Sequence, residues 1–515
     1  SAPGAAKPVG PPLRTIAAAG AALSLLGGVR AGRPRGRRRC RAAREPARVA
    51  LRAEAQVLSG FVSACSTAQS WEQAVDEVAE KAGTGFECGM AFISSLHVDS
   101  AQGPGLGAVL DALREKLGAQ VLIGCAVTGA LGQAAGPDAV EYGGGLAGED
   151  WPPIEVERGF CLSVGLLRKA GATPFFLGTG TGGEGDVGLL GRMKAAGDVR
   201  SVLLLADPFA EVDELLRTLG DYFPGATKAG GLSTALQVQR APGEMAGFMP
   251  SIAIATEGNS ARMCNQGAVG LLLTEVAVHT VVCQGCCGVG PKVNVTGVQG
   301  PVCDGIGGRP AREALQLIFS NVDPQTREKM QKFLLLGLGN PGESGALVDD
   351  GDWRIRPISG VTESGGLVVG PGLQEGMPMR FHVRDVESAN KDRQLMLKRY
   401  RLEKAVGGNI GDAMGAFLFT CNGRGESLYG QRHVDARAAA EVLGDEVGTR
   451  VAGFFCNGEI GAPGLAVASE KGRPEAEAPE KGTAMRPPAL HGFTAVYALL
   501  VPAEAAPRNV PALGA

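Results

Sequence analysis

The chain has 515 residues, 44% hydrophobic and 20% charged, with 79 Gly and 5% aromatic residues. This is enough for two or three domains with apolar cores, and it excludes global disorder. No run of about 20 apolar residues occurs, which excludes a bundle of membrane-spanning helices. The net charge of −3 hides an asymmetry, because residues 1–44 hold 10 of the 50 Lys and Arg and no acid. The rest has 40 basic against 53 acidic residues, a net −13, which argues against nucleic-acid binding.

Taken in chain order, residues 1–47 come first as an Ala/Gly/Pro-rich, Arg-rich leader of targeting type, with a soft apolar stretch from Thr15 to Val29. Ordered structure is expected from about Arg48, helical through Val57 and Val62, with a second helix over Trp71–Lys81. Gly89–Ser95 reads as a buried strand. Leu106, Val109, Leu110, Leu113 and Leu117 mark one face of a helix that Gly118 should stop. Gln120–Cys125 is the next strand. Phe160–Leu167 and Thr173–Gly178 are separated so briefly that a hairpin, and therefore a mixed sheet, is expected. Ser201–Ala206 reads as another strand.

A later block repeats this order. Gly415–Cys421 is a strand, Asp435–Leu443 a helix with Asp435 as its N-cap, and Arg450–Cys456 a strand ending in Cys. His-Val-Asp precedes both helices, at His97–Asp99 and His433–Asp435. The expected fold class is α/β, with mixed sheets covered by helices and two architecturally related domains in a layered sandwich. Residues 468–488 are Pro- and charge-rich and read as a solvated insertion before the last strand, Phe493–Val501.

Few motifs carry chemistry. Gly337–Gly342 (GLGNPG) fits GxGxxG, but Pro341 and the turn-rich stretch after it deny the helix that would cradle a phosphate, so it reads as a turn. Asp349, Asp350 and Asp352 read as a solvated loop. Cys283, Cys286 and Cys287 (CQGCC) lack a complete ligand set even with Cys303, and read as a turn lining a pocket or interface. The twelve Cys show no disulfide spacing and read as reduced thiols. Cys125, Cys421 and Cys456 end apolar strands and would be nucleophiles only beside His97, His433 or His491. Asn422, Arg424, Asn457 and Glu459 sit in Gly-flanked turns. There Arg424 could take a carboxylate and Glu459 an ammonium, or the two could pair with each other. No P-loop, HExxH or GxSxG occurs, so no enzyme, cofactor or metal is expected.

Several strings follow one another in a family order: LIGCAVTG (122–129), LLLADPF (203–209), GGLS (230–233), QGC…GP (284–291), SGV (359–361), EGM…FHVRD (375–385), FTCNGRG (419–425), GFFCNGEIG (453–461) and LHGFTA (490–495). In that order the chain resembles the FIST family of paired FIST N and FIST C domains. The resemblance implies a FIST N-like domain over 48–275, a FIST C-like domain over 276–503 and a tail at 504–515. It implies a non-catalytic sensory module that binds a small polar ligand, such as an amino acid or derivative, or a protein partner. The ligand-facing residues would be Cys125, Thr128, Gly230, Gly231, Ser233, Gln284, Cys286, Asn422, Arg424, Cys456, Asn457 and Glu459. The leader adds the expectation of a plastid address, with the mitochondrion as the alternative, in an algal-type member. A structural or assembly subunit of a larger plastid membrane complex and a Cys-dependent enzyme are the other readings.

Overall fold

The strands of this chain read as unbroken apolar runs because both of their faces are buried. Along Phe86–Ser94, Met90 and Phe92 enter one apolar cluster while Ala91 and Ile93 enter another, the alternation that a pleated strand imposes. The computed structural model describes residues 60–98, 103–135, 153–180, 185–238, 247–339, 353–370, 372–407, 412–444, 450–463, 465–466 and 487–503. All of them belong to one compact unit, Val57–Ala515.

Four strands and two helices recur three times. The first repeat has strands Phe61–Ser66, Phe86–Ser94, Ala119–Val127 and Leu162–Leu167. The second has Ala172–Gly178, Ser201–Ala206, Thr227–Leu232 and Gly267–Leu273. The third has Val276–Gln284, Gly415–Cys421, Val451–Cys456 and Thr494–Pro502. In each sheet the order is first, fourth, second, third, with the second and third parallel and the other neighbours antiparallel. Helices Trp71–Ala82, Val187–Ala196 and Val386–Gly407 precede the second strands. Helices Gly105–Leu117, Val212–Tyr222 and Val434–Leu443 make the crossovers that the parallel pairs require. In the third repeat a further sheet, built from strands between Cys286 and Arg384, is inserted after the first strand.

Each repeat also sends out a hairpin between its third and fourth strands, and the hairpin joins another repeat's sheet. Ala130–Gly132 with Ile154–Val156 adds to the third repeat beside Val451–Cys456. Ile252–Thr256 with Arg262–Cys264 adds to the first beside Ala119–Val127. Glu459–Gly461 with Ala489–His491 adds to the second beside Thr227–Leu232. The exchange is therefore cyclic, and each hairpin pairs with an edge that would otherwise expose unpaired N–H and C=O groups.

Packing follows this topology. The inward faces of all three sheets share one cluster that includes Phe92, Cys125, Leu203, Leu205, Phe417, Phe454 and Cys456. Phe92 stacks on Phe454 at 5.0 Å and meets Phe417 edge-on at 6.2 Å. Each outward face packs under its own helices, through Leu110 and Leu113 in the first repeat, Leu215 and Leu219 in the second, and Leu397 and Ala439 in the third.

The mixed α/β class, helix Trp71–Ala82 and helix Gly105–Leu117 with Gly118 left-handed at φ 56° are as expected. The recurrence between the early and late blocks is present in the pairing, and a third copy lies between them. Four expectations are corrected. Val62 lies in a strand, not a helix, because FVSACS is buried throughout and pairs with Leu162–Leu167. The strands Leu162–Leu167 and Ala172–Gly178 form no hairpin: they end one repeat and begin the next, in different sheets. CQGCC is no turn, since strands Val276–Gln284 and Cys286–Gln299 continue on either side of Gly285 into separate sheets. Asp435 does not cap its helix. His433 holds the N-cap position, at φ 64° and without a side-chain capping bond, and Asp435 points into the interior. The leader 1–47, the tail from 504, Asp99, Asn340–Gly342, Asp349, Asp350, Asp352 and residues 468–486 of the insertion lie outside the described residues.

Because the hairpins cross any cut between the second and third repeats, neither half has complete sheets. Fragments 57–275 and 276–503 expressed separately should be insoluble or melt without cooperativity, and co-expression should restore a soluble complex. Cooperative, near-native melting of fragment 57–275 alone would contradict the exchange.

Candidate functional site

Parallel pairing brings the ends of the second and third strands together. In the third repeat Cys421 stands opposite Cys456, and the turns CNGRG and CNGEIG leave side by side. The hairpin exchange adds the other two repeats. Thr128 Oγ1 donates to Asn422 Oδ1 at 2.6 Å, Asn422 Nδ2 donates to Asn457 Oδ1 at 2.7 Å, and Asn457 Nδ2 donates to the Ser233 carbonyl at 2.9 Å. One chain of hydrogen bonds thus ties all three repeats at this end. The Ser233 hydroxyl turns inward, donating to the Ala206 carbonyl at 3.1 Å and lying 2.8 Å from Ser251 Oγ.

Below this chain is a buried ion network. Arg424, 1% exposed, grips Asp435 with both prongs, Nε to Oδ2 at 2.7 Å and Nη2 to Oδ1 at 3.0 Å. Thr420, Tyr429 and Arg393 also donate to Asp435. Burial alone would raise the Asp435 carboxyl, but Arg424, then Arg393 and Tyr429, hold it down at about 2. Arg424 and Glu459 therefore do not pair with each other. Glu155, from the first repeat's hairpin, caps the helix that carries Asp435, accepting from the Ala436 N–H at 2.6 Å, while its own N–H donates to His433 Nδ1 at 2.7 Å. Burial, and then the charge on Asp435, push the Glu155 carboxyl up to about 7.

Glu459 is fully buried. Its Oε2 accepts from the Thr494 N–H at 3.2 Å and hydroxyl at 2.8 Å. Burial pushes this carboxyl up to about 8, against the smaller pull of Thr494, Arg424 and a hydrogen bond with Cys421. Glu459 is thus a neutral acid near pH 7, which makes it a poor anchor for an ammonium group. Arg424 Nη1 and Arg384 Nη2 are buried without a partner. Gly285 leaves no room for a side chain: a Cβ there would stand 2.5 Å from the Phe493 carbonyl and 3.0 Å from Arg424 Nη1, whereas one on Gly423 would make ordinary contact, 3.6 Å from both Arg384 Cζ and the Phe493 ring. Phe493 itself has φ 63°, a conformation that a bulky residue adopts only under constraint.

Outside the network opens a cleft of about 520 Å³, lined by Glu155, Val156, Glu157 and Arg158 of the first repeat and by Glu426, Ser427 and Arg432 of the third. Glu157 Oε2 accepts from the Ser427 N–H at 3.0 Å, and Arg432 Nε donates to Glu426 at 2.7 Å. Both signs of charge line it.

The sequence-derived residues divide into three groups. Thr128, Ser233, Asn422 and Asn457 form the surface chain, with Arg424 and Glu459 beneath. Cys125, Gly230, Gly231 and Cys456 belong to strand interiors, where a Cβ on Gly231 would stand 2.4 Å from Cys456 Sγ and one on Gly230 would overlap the Leu204 carbonyl oxygen at 1.9 Å. Gln284 and Cys286 flank Gly285, Gln284 Nε2 donating to the Trp353 carbonyl at 3.0 Å and Cys286 packing with Trp353. Burial raises the Cys125 and Cys456 thiols well above normal and the Cys421 thiol to about 12. His97 packs on Phe160, His433 accepts from Glu155, and His491 Nε2 sits 3.0 Å from the Gly461 carbonyl. Sequence reasoning missed Glu155, Glu157, Arg158, Arg432 and Arg384. Only Arg384 carried a signal, inside FHVRD.

Residues 88–309 match the family model of the FIST N domain and residues 312–462 that of the FIST C domain. An uncharacterized protein of Mycobacterium tuberculosis is 32% identical over 301 residues, 58% of this chain and 67% of its own length. An uncharacterized protein of Mycobacterium bovis is 36% identical over 236 residues, 46% of this chain and 53% of its own. These relatives are bacterial and lend nothing to an algal, organellar assignment.

A carboxyl held at about 8 in the folded state and near 4.5 when unfolded binds its proton more tightly in the native protein. Its contribution to stability therefore falls as pH rises from about 4.5 to 8. Glu459→Gln should melt increasingly above the parent between pH 5 and pH 9, and the gap should be smallest at pH 5. Parallel melting curves across that range would contradict a neutral Glu459.

Proposed function

The chain belongs to the FIST family, and from that premise we propose that it is a sensory module binding a small polar ligand at the strand ends of the third repeat. The observation that carries this reading is the cleft between the Ile154–Val156 hairpin strand and the Glu426–Tyr429 turn. It lies on the seam between the two family domains, where ligand sites commonly form. A ligand there would touch a hairpin from one repeat and a turn from another, and so would tighten the exchange that holds both. Glu155 joins cleft to interior, because it lines the one and caps the helix that carries Asp435. Binding would reach the buried Arg424–Asp435 pair through it.

The ligand class implied by the family, an amino acid or derivative, fits a cleft with Glu157 and Glu426 against Arg158 and Arg432. A catalytic role has less support. Cys125 and Cys456 are fully buried with raised pKa values, and none of His97, His433 and His491 is bonded to a thiol. Among the described residues no helix is long and apolar enough to cross a membrane. The plastid address remains a proposal that rests on the leader's composition.

The test is a thermal-shift panel of amino acids and other small polar metabolites. At least one compound at saturating concentration should raise the melting temperature, as native-state ligands do. Replacing Glu157 and Arg158 together by Gln should weaken that response roughly ten-fold, the scale of one lost charged hydrogen bond. A panel with no stabilising compound, or a double variant that responds like the parent, would refute the cleft as the site.

A further inference from the structure

Buried polar atoms without partners are rare enough in folded proteins that each needs a reason. Two of those among the described residues, Arg424 Nη1 and Arg384 Nη2, lie about Phe493, whose carbonyl stands against Gly285 and whose ring stands against Gly423, the two glycines next to which the guanidinium groups lie. Cys421 adjoins them, since its side chain is hydrogen-bonded to Glu459 and lies within electrostatic reach of Arg424 and Arg384. The Arg384 side chain is held over the Phe333 ring at 5.6 Å, and Phe333 meets Phe493 edge-on at 5.9 Å. Arg384 is therefore fixed by stacking, not by a carboxylate.

Three guanidinium groups gather at this end, Arg384, Arg393 and Arg424. Asp435 accepts from both Arg393 and Arg424. Asp392 acts on Arg424 through its charge while accepting from the Gln284 N–H at 2.6 Å, and Glu157 acts on Arg384 in the same way while bonding to the Ser427 N–H. The charge on Arg424 disfavours that on Arg384. Both unpartnered groups are N–H donors. Two guanidinium donors beside Gly-flanked turns have the chemistry of an anion site.

We propose that Arg384 and Arg424 bind the anionic group of the ligand, a carboxylate or a phosphate, beside Phe493. The assignment rests on the small-ligand reading and narrows it: the ligand is anionic, and Arg384, on the inserted subdomain, is the residue that selects it. An anion there would supply the missing acceptor to both guanidinium groups and would join the inserted subdomain to the third repeat. Arg424 cannot do this alone, because two of its nitrogens are committed to Asp435.

The test titrates sodium acetate and sodium phosphate against the full chain at ionic strength matched with sodium chloride, followed by thermal shift and calorimetry. Acetate or phosphate should raise the melting temperature beyond chloride. Arg384→Gln should weaken that binding roughly ten- to a hundred-fold while leaving the anion-free melting temperature near that of the parent. Arg384→Lys, which keeps the charge but not the fork, should recover only part of it, and it serves as the probe if the Gln variant fails to fold. If neither anion stabilises the parent while a neutral or cationic compound from the metabolite panel does, the anion site is wrong and the small-ligand reading stands. If no compound of any charge binds, both fall. Equal anion affinity in the parent and both Arg384 variants would also overturn the assignment.

Discussion

Every other feature of this molecule depends on one constraint: the third strand of each repeat has an open edge, and among the described residues the strand that pairs with it comes from a different repeat. A parallel pair such as Phe86–Ser94 with Ala119–Val127 leaves a row of backbone donors and acceptors on its outer side. Ile252–Thr256 pairs with that row, and its counterparts do the same for the other two sheets. Because the donations run in a ring, none can be removed without opening an edge elsewhere. The shared core follows from the same geometry, since three sheets tied at their edges must turn their inner faces toward one another. The result is a single cluster in which Phe92, Phe417 and Phe454 touch across repeats.

The exchange also builds the site. Thr128 and Glu155 belong to the first repeat, Ser233 to the second, and Asn422, Arg424 and Glu459 to the third, yet they meet within one region because the first repeat's hairpin enters the third and the third's own hairpin reaches the second. Buried charge is costly unless paired, and the Arg424–Asp435 pair, with Tyr429, Thr420 and Arg393 around it, accounts for most of the charge there. What it leaves without a partner includes one nitrogen of Arg424 and one of Arg384. The proposed ligand would add its hydrogen bonds there.

Much of this was legible in the sequence, for identifiable reasons. Helix Gly105–Leu117 announced itself by its leucine spacing and by Gly118, and the paired turns CNGRG and CNGEIG by their repetition after apolar strands. The third copy at Ser201–Leu232 was less visible, because its turns lack the Cys-Asn-Gly signature. The hairpin partners could not be read at all. Ala130–Gly132 is three residues long, and nothing local to it specifies Val451–Cys456 as its neighbour. For the same reason nothing in the sequence singles out Glu155 and Glu157, although pairing across 270 residues or more places one beneath the helix of Asp435 and the other against Ser427. Asp435 looked like a cap because a helix begins there. Its role is set instead by Arg424, which lies outside that helix.

The central claim is that cyclic pairing makes three repeats one cooperative structure, and native-state hydrogen exchange measures this directly. Amides of Ala119–Val127, Thr227–Leu232 and Val451–Cys456 should exchange only through global opening, with a common free energy and a common denaturant dependence. If the strands of one repeat exchanged by a separate, lower-energy opening while the other two stayed protected, the repeats would be independent and the account would be wrong.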